Sequence, residues 1–344
     1  MSELRNSVIV SKSNISNGSG CHSRFTITTG EALGTESPIV SGPEFYSKHI
    51  VPSCGRCLRH AAGLRVLVDF FCEADNQRAS EMTLPSDWFV CDPCRISLCP
   101  ECSVAIQSSH ARSCVKTDER KRQSLAALER LSIRSTESWI LAMHFIVDLI
   151  EQDKELTAAL FENTEYEYFK HHARPDRPEL AEACEWISTI IGTPVHPSFL
   201  KTVVDTFDQT NLYLEITNET MMEDLAGNPD MADHLKRGYD KVHFPTAFGG
   251  DTNLVPIPVV IGSGHYQTIA MLNHSCDPNV EWRSINGTAH IELVALRGIS
   301  KGEELFISYI DQRLPQPERS EKLSTLYGFT CKCSRCIDEE GYSS

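Results

Sequence analysis

Apolar positions along this chain keep changing period, and each change predicts a different kind of element. Over residues 1–53 the apolar runs are short and β-type, Val8-Ile9-Val10 and Phe25-Thr26-Ile27, with Gly and Ser between them, so strands joined by turns are expected. From about 117 to 190 the period turns helical: Leu125, Leu128 and Leu131 recur every three residues, and Trp139, Met143, Ile146 and Ile150 every three or four. Ser135 stands where the N-cap of the second stretch would be. Pro175 and Pro178 interrupt the pattern, and a helical stripe resumes over 180–191. These stripes read as packed core. Residues 218–250 are polar and mixed, whereas 255–261, 290–296 and 305–310 are β-rich, with Pro, Gly and Asn between them. No internal repeat or low-complexity segment interrupts this order.

Composition narrows the function classes. The chain has 344 residues, room for two or three domains, and 41% hydrophobic residues is enough for a packed core. Lys and Arg number 32 against 47 Asp and Glu, a formal net charge of −15. Such a surface repels the phosphate backbone of nucleic acid and suits a basic partner such as a Lys-rich protein tail, although solubility alone is an equally good reason for it. Direct nucleic-acid binding is not expected. The opening Met-Ser-Glu-Leu-Arg-Asn-Ser lacks the basic start and apolar stretch of a secretory signal. No window approaches the ~18 apolar residues of a membrane span, so an intracellular protein of nucleus or cytoplasm is expected.

In a reducing compartment, 14 Cys are read first for metal. Cys54-x2-Cys57, Cys91-x2-Cys94, Cys99-x2-Cys102 and His110-x3-Cys114 supply seven thiols and one imidazole, the ligand count of two closed tetrahedral zinc sites. Closed sites leave no position for water, so these zincs are structural. Cys72 stands outside the pairs and reads as a free thiol. Near the C-terminus, Asn273-His274-Ser275-Cys276-Asp277-Pro278-Asn279 precedes Gly302-Glu303-Glu304-Leu305-Phe306-Ile307-Ser308-Tyr309-Ile310-Asp311 and then Cys331-x-Cys333-x2-Cys336. Three thiols cannot close a tetrahedral site, and Cys276 is the best-placed fourth ligand, which would fasten the tail over the Asn-His loop with a third zinc.

The 273–279 and 302–311 strings, with the ending Tyr327-Gly328-Phe329-x-Cys331-x-Cys333-x2-Cys336, resemble the SET core and post-SET motifs of the SET and MYND domain (SMYD-type) lysine methyltransferases. The first Cys cluster is similar to that family's MYND zinc finger, although the gap from Cys57 to Cys91 is longer than the family's and the spacings around Cys99 are tighter. The resemblance implies an α+β fold: a β-rich SET fold with a threaded C-terminal segment, interrupted by the MYND module and a helical insert, and closed by the post-SET zinc site. It divides the chain into an N-terminal SET part (1–53), a MYND-type finger (54–114), a mainly helical insert (115–250), the C-terminal SET core (251–312) and the post-SET segment (313–344). It also implies that Cys54, Cys57, Cys99 and Cys102 share one zinc, and Cys91, Cys94, His110 and Cys114 the other.

By the same match, Gly18, Ser19 and Gly20 of Asn17-Gly18-Ser19-Gly20 would let the backbone approach S-adenosylmethionine. Asn273 and His274 would hold its adenine and ribose, Phe329 would stack on the adenine, Leu272 and Tyr327 would line the pocket, and Asn253 would contribute. Tyr309 would be the catalytic residue, its hydroxyl placed where amine, methyl and sulfur meet, and Tyr266 would line the substrate channel. The implied activity is methyl transfer to lysine side chains of basic proteins, histone tails among them. The alternative is a catalytically inactive SET and MYND module that recruits Pro-rich peptides through its zinc finger.

Overall fold

The computed structural model of the protein describes residues 3–16, 18–45, 47, 51–61, 84–163, 165, 166, 168, 169, 176–217, 227 and 259–341. Asn17, Cys72, Pro175, Asn253, positions 255–258 and nearly all of 218–250 lie outside the described residues.

A short helix, Glu3–Ser7, leads into β1 (Val8–Lys12), β2 (Ser19–Ser23), β3 (Ala32–Glu36) and β4 (Val40–Pro43). The first Cys-rich stretch holds β5 (Phe89–Cys91), β6 (Ile96–Leu98) and the helices Pro100–Ala105 and Gln107–Ser113. Four longer helices follow, Glu119–Arg134, Ser138–Glu151, Leu180–Ile191 and Pro197–Thr210, and then β7 (Leu212–Ile216). Beyond these come β8 (Val260–His265), β9 (Asn273–His274), β10 (Val280–Ser284), β11 (Ile291–Ala295) and β12 (Phe306–Ile307), and the tail ends in helices Gln316–Tyr327 and Ser334–Gly341.

The sheets join the two ends of the sequence. β3 pairs antiparallel with β11, and β4 with β8. Single bridges add His22 to Glu304 and Ile27 to Ile299. β7, from the stretch expected to be mainly helical, supplies the outer strand of the β4-β8-β7 sheet. One apolar core lies among the long helices, around Trp139, Phe145, Ile187 and Phe207. A second lies among the small sheets, around Leu33, Leu214, Leu293 and Leu305. The architecture is α+β, and no helix among the described residues is long and apolar enough to cross a membrane.

The helical period is matched by real helices. Leu180–Ile191 has the bounds expected of it and is ended by Gly192 in the left-handed conformation, φ 71°. Glu119–Arg134 begins on Asp118, whose carboxylate accepts from the N–H groups of Arg120 (2.9 Å) and Lys121 (3.1 Å). Two expectations need correction. Ser135 caps the end of the first helix and not the start of the next: its hydroxyl donates to the Leu131 carbonyl (2.9 Å) and accepts from Trp139 Nε1 (3.1 Å). Phe25-Thr26-Ile27 is not a strand, because only Ile27 is bridged and Phe25 is 58% exposed. The strand facing β1 is instead Ser19–Ser23, a Gly- and Ser-containing run with poor intrinsic propensity that becomes a strand through pairing. The helix Pro197–Thr210 lies in the stretch expected to be mainly helical, although no bounds were expected for it: Phe199, Val203 and Phe207 repeat every four residues and Pro197 sits at its first turn.

Candidate functional site

The Cys-rich segments gather into three sets of four, with all ligand atoms in each set within 4.8 Å of one another: Cys54, Cys57, Cys99, Cys102; Cys91, Cys94, His110, Cys114; and Cys276, Cys331, Cys333, Cys336. Local structure supplies each set. Cys99 is the N-cap of Pro100–Ala105 and Cys102 lies in its first turn, opposite the Cys54–Cys57 loop. His110 lies on Gln107–Ser113 and Cys114 is that helix's C-cap. A tetrahedral zinc with bonds of ~2.3 Å to sulfur needs sulfurs ~3.8 Å apart. The structure places Cys57 and Cys99 Sγ at 3.7 Å, Cys94 and Cys114 at 3.7 Å, and Cys276 at 3.5 Å from Cys336 and 4.0 Å from Cys331. His110 Nε2 is buried without a hydrogen-bond partner, and burial lowers the imidazole pKa and so keeps it in the neutral form a metal requires. The donor sets fit zinc.

The third set sits under two clefts. Asn273, His274, Tyr309, Tyr327 and Phe329 line a cleft of about 320 Å³, together with Ile15 and Ser16. A second cleft, about 220 Å³, has walls that include Asn211, Tyr213 and Trp282. Gln209, Thr210, Ala270, Tyr309 and Tyr327 belong to both.

Hydrogen bonds fix the shared wall. The Tyr309 backbone N–H donates to His274 Nδ1 (3.0 Å). A neutral imidazole accepting at Nδ1 carries its proton on Nε2, which points at Cys276 Sγ, 3.3 Å away. Burial, with Arg319 in support, pushes the His274 pKa down to about 4, so the ring stays neutral. His274 therefore ties the Cys276 thiol to the backbone of Tyr309. The Tyr309 hydroxyl donates to the Leu272 carbonyl (2.6 Å), and burial raises its pKa, so the phenol keeps its proton and leaves an oxygen lone pair free to accept. Tyr327 packs 4.9 Å from Tyr309, centroid to centroid, and its hydroxyl donates to the Tyr309 carbonyl (3.3 Å).

Several expected cofactor residues stand behind the cleft lining. Gly18, Ser19, Gly20 and Leu272 are not in the lining of either cleft. Ser19 offers its carbonyl to Asn273 Nδ2 (3.0 Å), and a Cβ on Gly20 would lie 2.1 Å from Glu304 Oε1, so this glycine makes room for a carboxylate. Leu272 is 1% exposed, its side chain in the sheet core and its carbonyl on Tyr309. Tyr266 is likewise core and not channel: it is fully buried, and its hydroxyl donates to the Ala289 carbonyl. Asn273 Nδ2 and both ring nitrogens of His274 are committed to the protein.

Glu304 lies in the 302–311 string, where the sequence assigns it no role. It is 1% exposed, and its two oxygens accept from Asn273 Nδ2 (2.9 Å) and from the Asn14 N–H (2.6 Å), which seats the 14–16 turn beside the larger cleft. A second carboxylate directly before the apolar run Leu305-Phe306-Ile307 was the available signal. Thr210 and Asn211 carried no signal, because they belong to no motif.

Comparison with known proteins gives one family: the SET domain family matches residues 97–310, more than half of the chain. Over 80 residues the chain is 46% identical to the Homo sapiens protein named histone-lysine N-methyltransferase SMYD3, covering 23% of this chain and 18% of that protein. Over 71 residues it is 50% identical to SET domain and MYND-type zinc finger protein 6 of Schizosaccharomyces pombe, covering 21% of this chain and 14% of that one. Over 114 residues it is 37% identical to histone-lysine N-methyltransferase SET5 of Yarrowia lipolytica, covering 30% of this chain and 26% of the relative. The matched stretches thus span about a quarter or less of these relatives' own lengths.

Proposed function

Because the chain belongs to the SET domain family, on its SET and MYND branch, we propose that it transfers the methyl group of S-adenosylmethionine to lysine side chains of basic proteins, histones among them. The observation that carries this reading is the meeting of two clefts at Tyr309 and Tyr327, one for a cofactor and one for a side chain. In the larger cleft, the Asn273 and His274 main chains and the Phe329 ring would hold the nucleoside end. When bound, the cofactor supplies an electrophilic methyl on a positive sulfur.

The protein's task is then alignment and a neutral amine. No Asp, Glu, Lys or Arg lines the smaller cleft among the described residues, so it offers an ammonium no counter-charge and favours loss of its proton. Tyr309, with its proton held by Leu272, presents an oxygen toward the reacting groups. Transfer makes one N–C bond and breaks one C–S bond; the sulfur keeps the electron pair and the product ammonium releases a proton to water. Zinc in the three thiol-rich sets would be structural, and the set at Cys276 would hold His274, and through it Tyr309, in place.

Transfer of labelled methyl from S-adenosylmethionine to core histones and whole-cell protein tests this reading. Label on lysine that falls on the order of a hundredfold in Tyr309→Phe, with folding unchanged, supports it. No label from a zinc-loaded, cofactor-binding protein points to a second reading, a docking module. That reading draws on an apolar groove of about 830 Å³ on the zinc module, where Phe89, Val90 and Val104 are 39%, 46% and 77% exposed and a Pro-rich peptide would fit.

A further inference from the structure

The helix Gln316–Tyr327 buries Leu323 and, one turn before it, Arg319, which is 1% exposed. A guanidinium this deep is costly unless anions and acceptors surround it. Nη1 donates to the Leu314 carbonyl (2.8 Å), and Nη2 donates to Glu339 Oε2 and lies 3.8 Å from Cys336 Sγ. Nε is buried without a hydrogen-bond partner. Glu339 cannot balance this charge alone, because its Oε1 accepts from Arg335 Nε (2.9 Å). Two cations share one carboxylate.

The missing negative charge lies in the sulfurs. Cys276, Cys331, Cys333 and Cys336 are all buried, and neutral thiols would give Arg319 only a weak acceptor. Four thiolates on a zinc ion carry two net negative charges, which a buried guanidinium complements. The other two sets are served differently. One has the neutral imidazole of His110 among its ligands, and the set at Cys54 has Arg59 nearby, half-exposed and paired with Glu101 (3.0 Å). At the C-terminal set the remaining donors are neutral, His274 Nε2 at 3.3 Å from Cys276 Sγ and the Cys333 N–H at 3.5 Å from Cys331 Sγ. Arg335 braces the same corner through the carbonyls of Cys276 (3.0 Å) and Gln312 (2.8 Å).

We infer that Arg319 is the counter-cation of the C-terminal thiolate set, keeping its four sulfurs closed on zinc, and that through Cys276 it is a positioning residue for His274 and Tyr309. The metal part of this inference stands whether or not the protein transfers methyl groups. The positioning part rests on the lysine-methyltransferase reading. Without the guanidinium, two negative charges would sit uncompensated in a buried site, and a sulfur would leave the metal more readily.

Zinc release into excess EDTA, counted by native mass spectrometry, tests the metal part. In Arg319→Met, or Arg319→Gln if the methionine variant does not fold, one of the three zinc ions should leave about tenfold or more faster than in the native protein, with the others unchanged. N-ethylmaleimide added during release should map the newly reactive thiols to Cys276, Cys331, Cys333 and Cys336. Arg319→Lys keeps the charge but loses the planar fork, and its acceleration should be about threefold. Glu339→Gln leaves the sulfur contact and should stay within about twofold. In cobalt-substituted protein, the sulfur-to-metal charge-transfer band should move to lower energy in Arg319→Met, because a thiolate has lost an N–H donor. Native release rates in both Arg319 variants, equal acceleration in Glu339→Gln, an unmoved cobalt band, or alkylation at the other two sets overturns the inference.

Binding of S-adenosylhomocysteine to zinc-replete protein tests the positioning part, with affinity expected to fall about threefold or more in Arg319→Met. Unchanged affinity beside faster zinc loss overturns that part. A native protein that binds no S-adenosylhomocysteine would overturn the parent reading, and the zinc and cobalt measurements would still decide the counter-cation.

Discussion

At the scale of single residues, the site depends on groups that leave no room for alternatives. Gly20 faces Glu304 and Asn273 so closely that an added Cβ would sit 2.1 Å from Glu304 Oε1, and moving that carboxylate would break its bonds to Asn273 and Asn14. Gly20→Ala should cost about 1–3 kcal/mol in urea unfolding, whereas Gly298→Ala, which meets nothing within 4 Å, should stay within about 0.5 kcal/mol. Glu36 gives a pH signature. It is 3% exposed, and burial raises its pKa despite the N–H groups of Thr268 (2.8 Å) and Ile269 (3.3 Å). The folded state then holds this proton more tightly than the unfolded one, so the contribution to stability is full below the unfolded value of 4.5 and falls as pH rises through the raised folded value. Melting temperatures across that interval should fall less steeply in Glu36→Gln than in the native protein.

At the scale of elements, caps and pairing partners decide boundaries that apolar period alone leaves open. Asp118 satisfies two N–H groups at the start of Glu119–Arg134, and Asp118→Ala should lower stability by about 1 kcal/mol by chemical denaturation, with little change in cofactor binding. Helices 180–191 and 119–134 were legible because their stripes repeat within one segment. β2 was not: Ser19-Gly20-Cys21-His22-Ser23 has no alternation to read, and it is a strand because Val8–Lys12 lies opposite it. β12 is only Phe306–Ile307, shorter than the apolar run around it, since the chain leaves its parallel partner β9 at the Tyr309 corner.

At the scale of the whole molecule, one imidazole joins the C-terminal thiol set to the Tyr309 backbone. Elemental analysis should find three zinc ions per chain, one for each set. Cys336→Ser should lose one zinc and weaken S-adenosylmethionine binding by about tenfold or more, because its set includes Cys276, which holds His274 against Tyr309. Cys94→Ser should also lose one zinc but leave that affinity within about twofold, since its set lines neither of the two clefts. The sequence by itself determined the ligand types and their close spacings, the helical stripes and the SET-like strings, because each is a local pattern of a few residues. Only the tertiary structure decided that Gly20 makes room for a buried carboxylate beside the cleft, that Leu272 and Tyr266 are core, and that residues outside every motif line the second cleft. Those roles depend on contacts between segments as far apart as Asn14 and Glu304, and a one-dimensional pattern holds no information on which distant group will fill the space beside a residue.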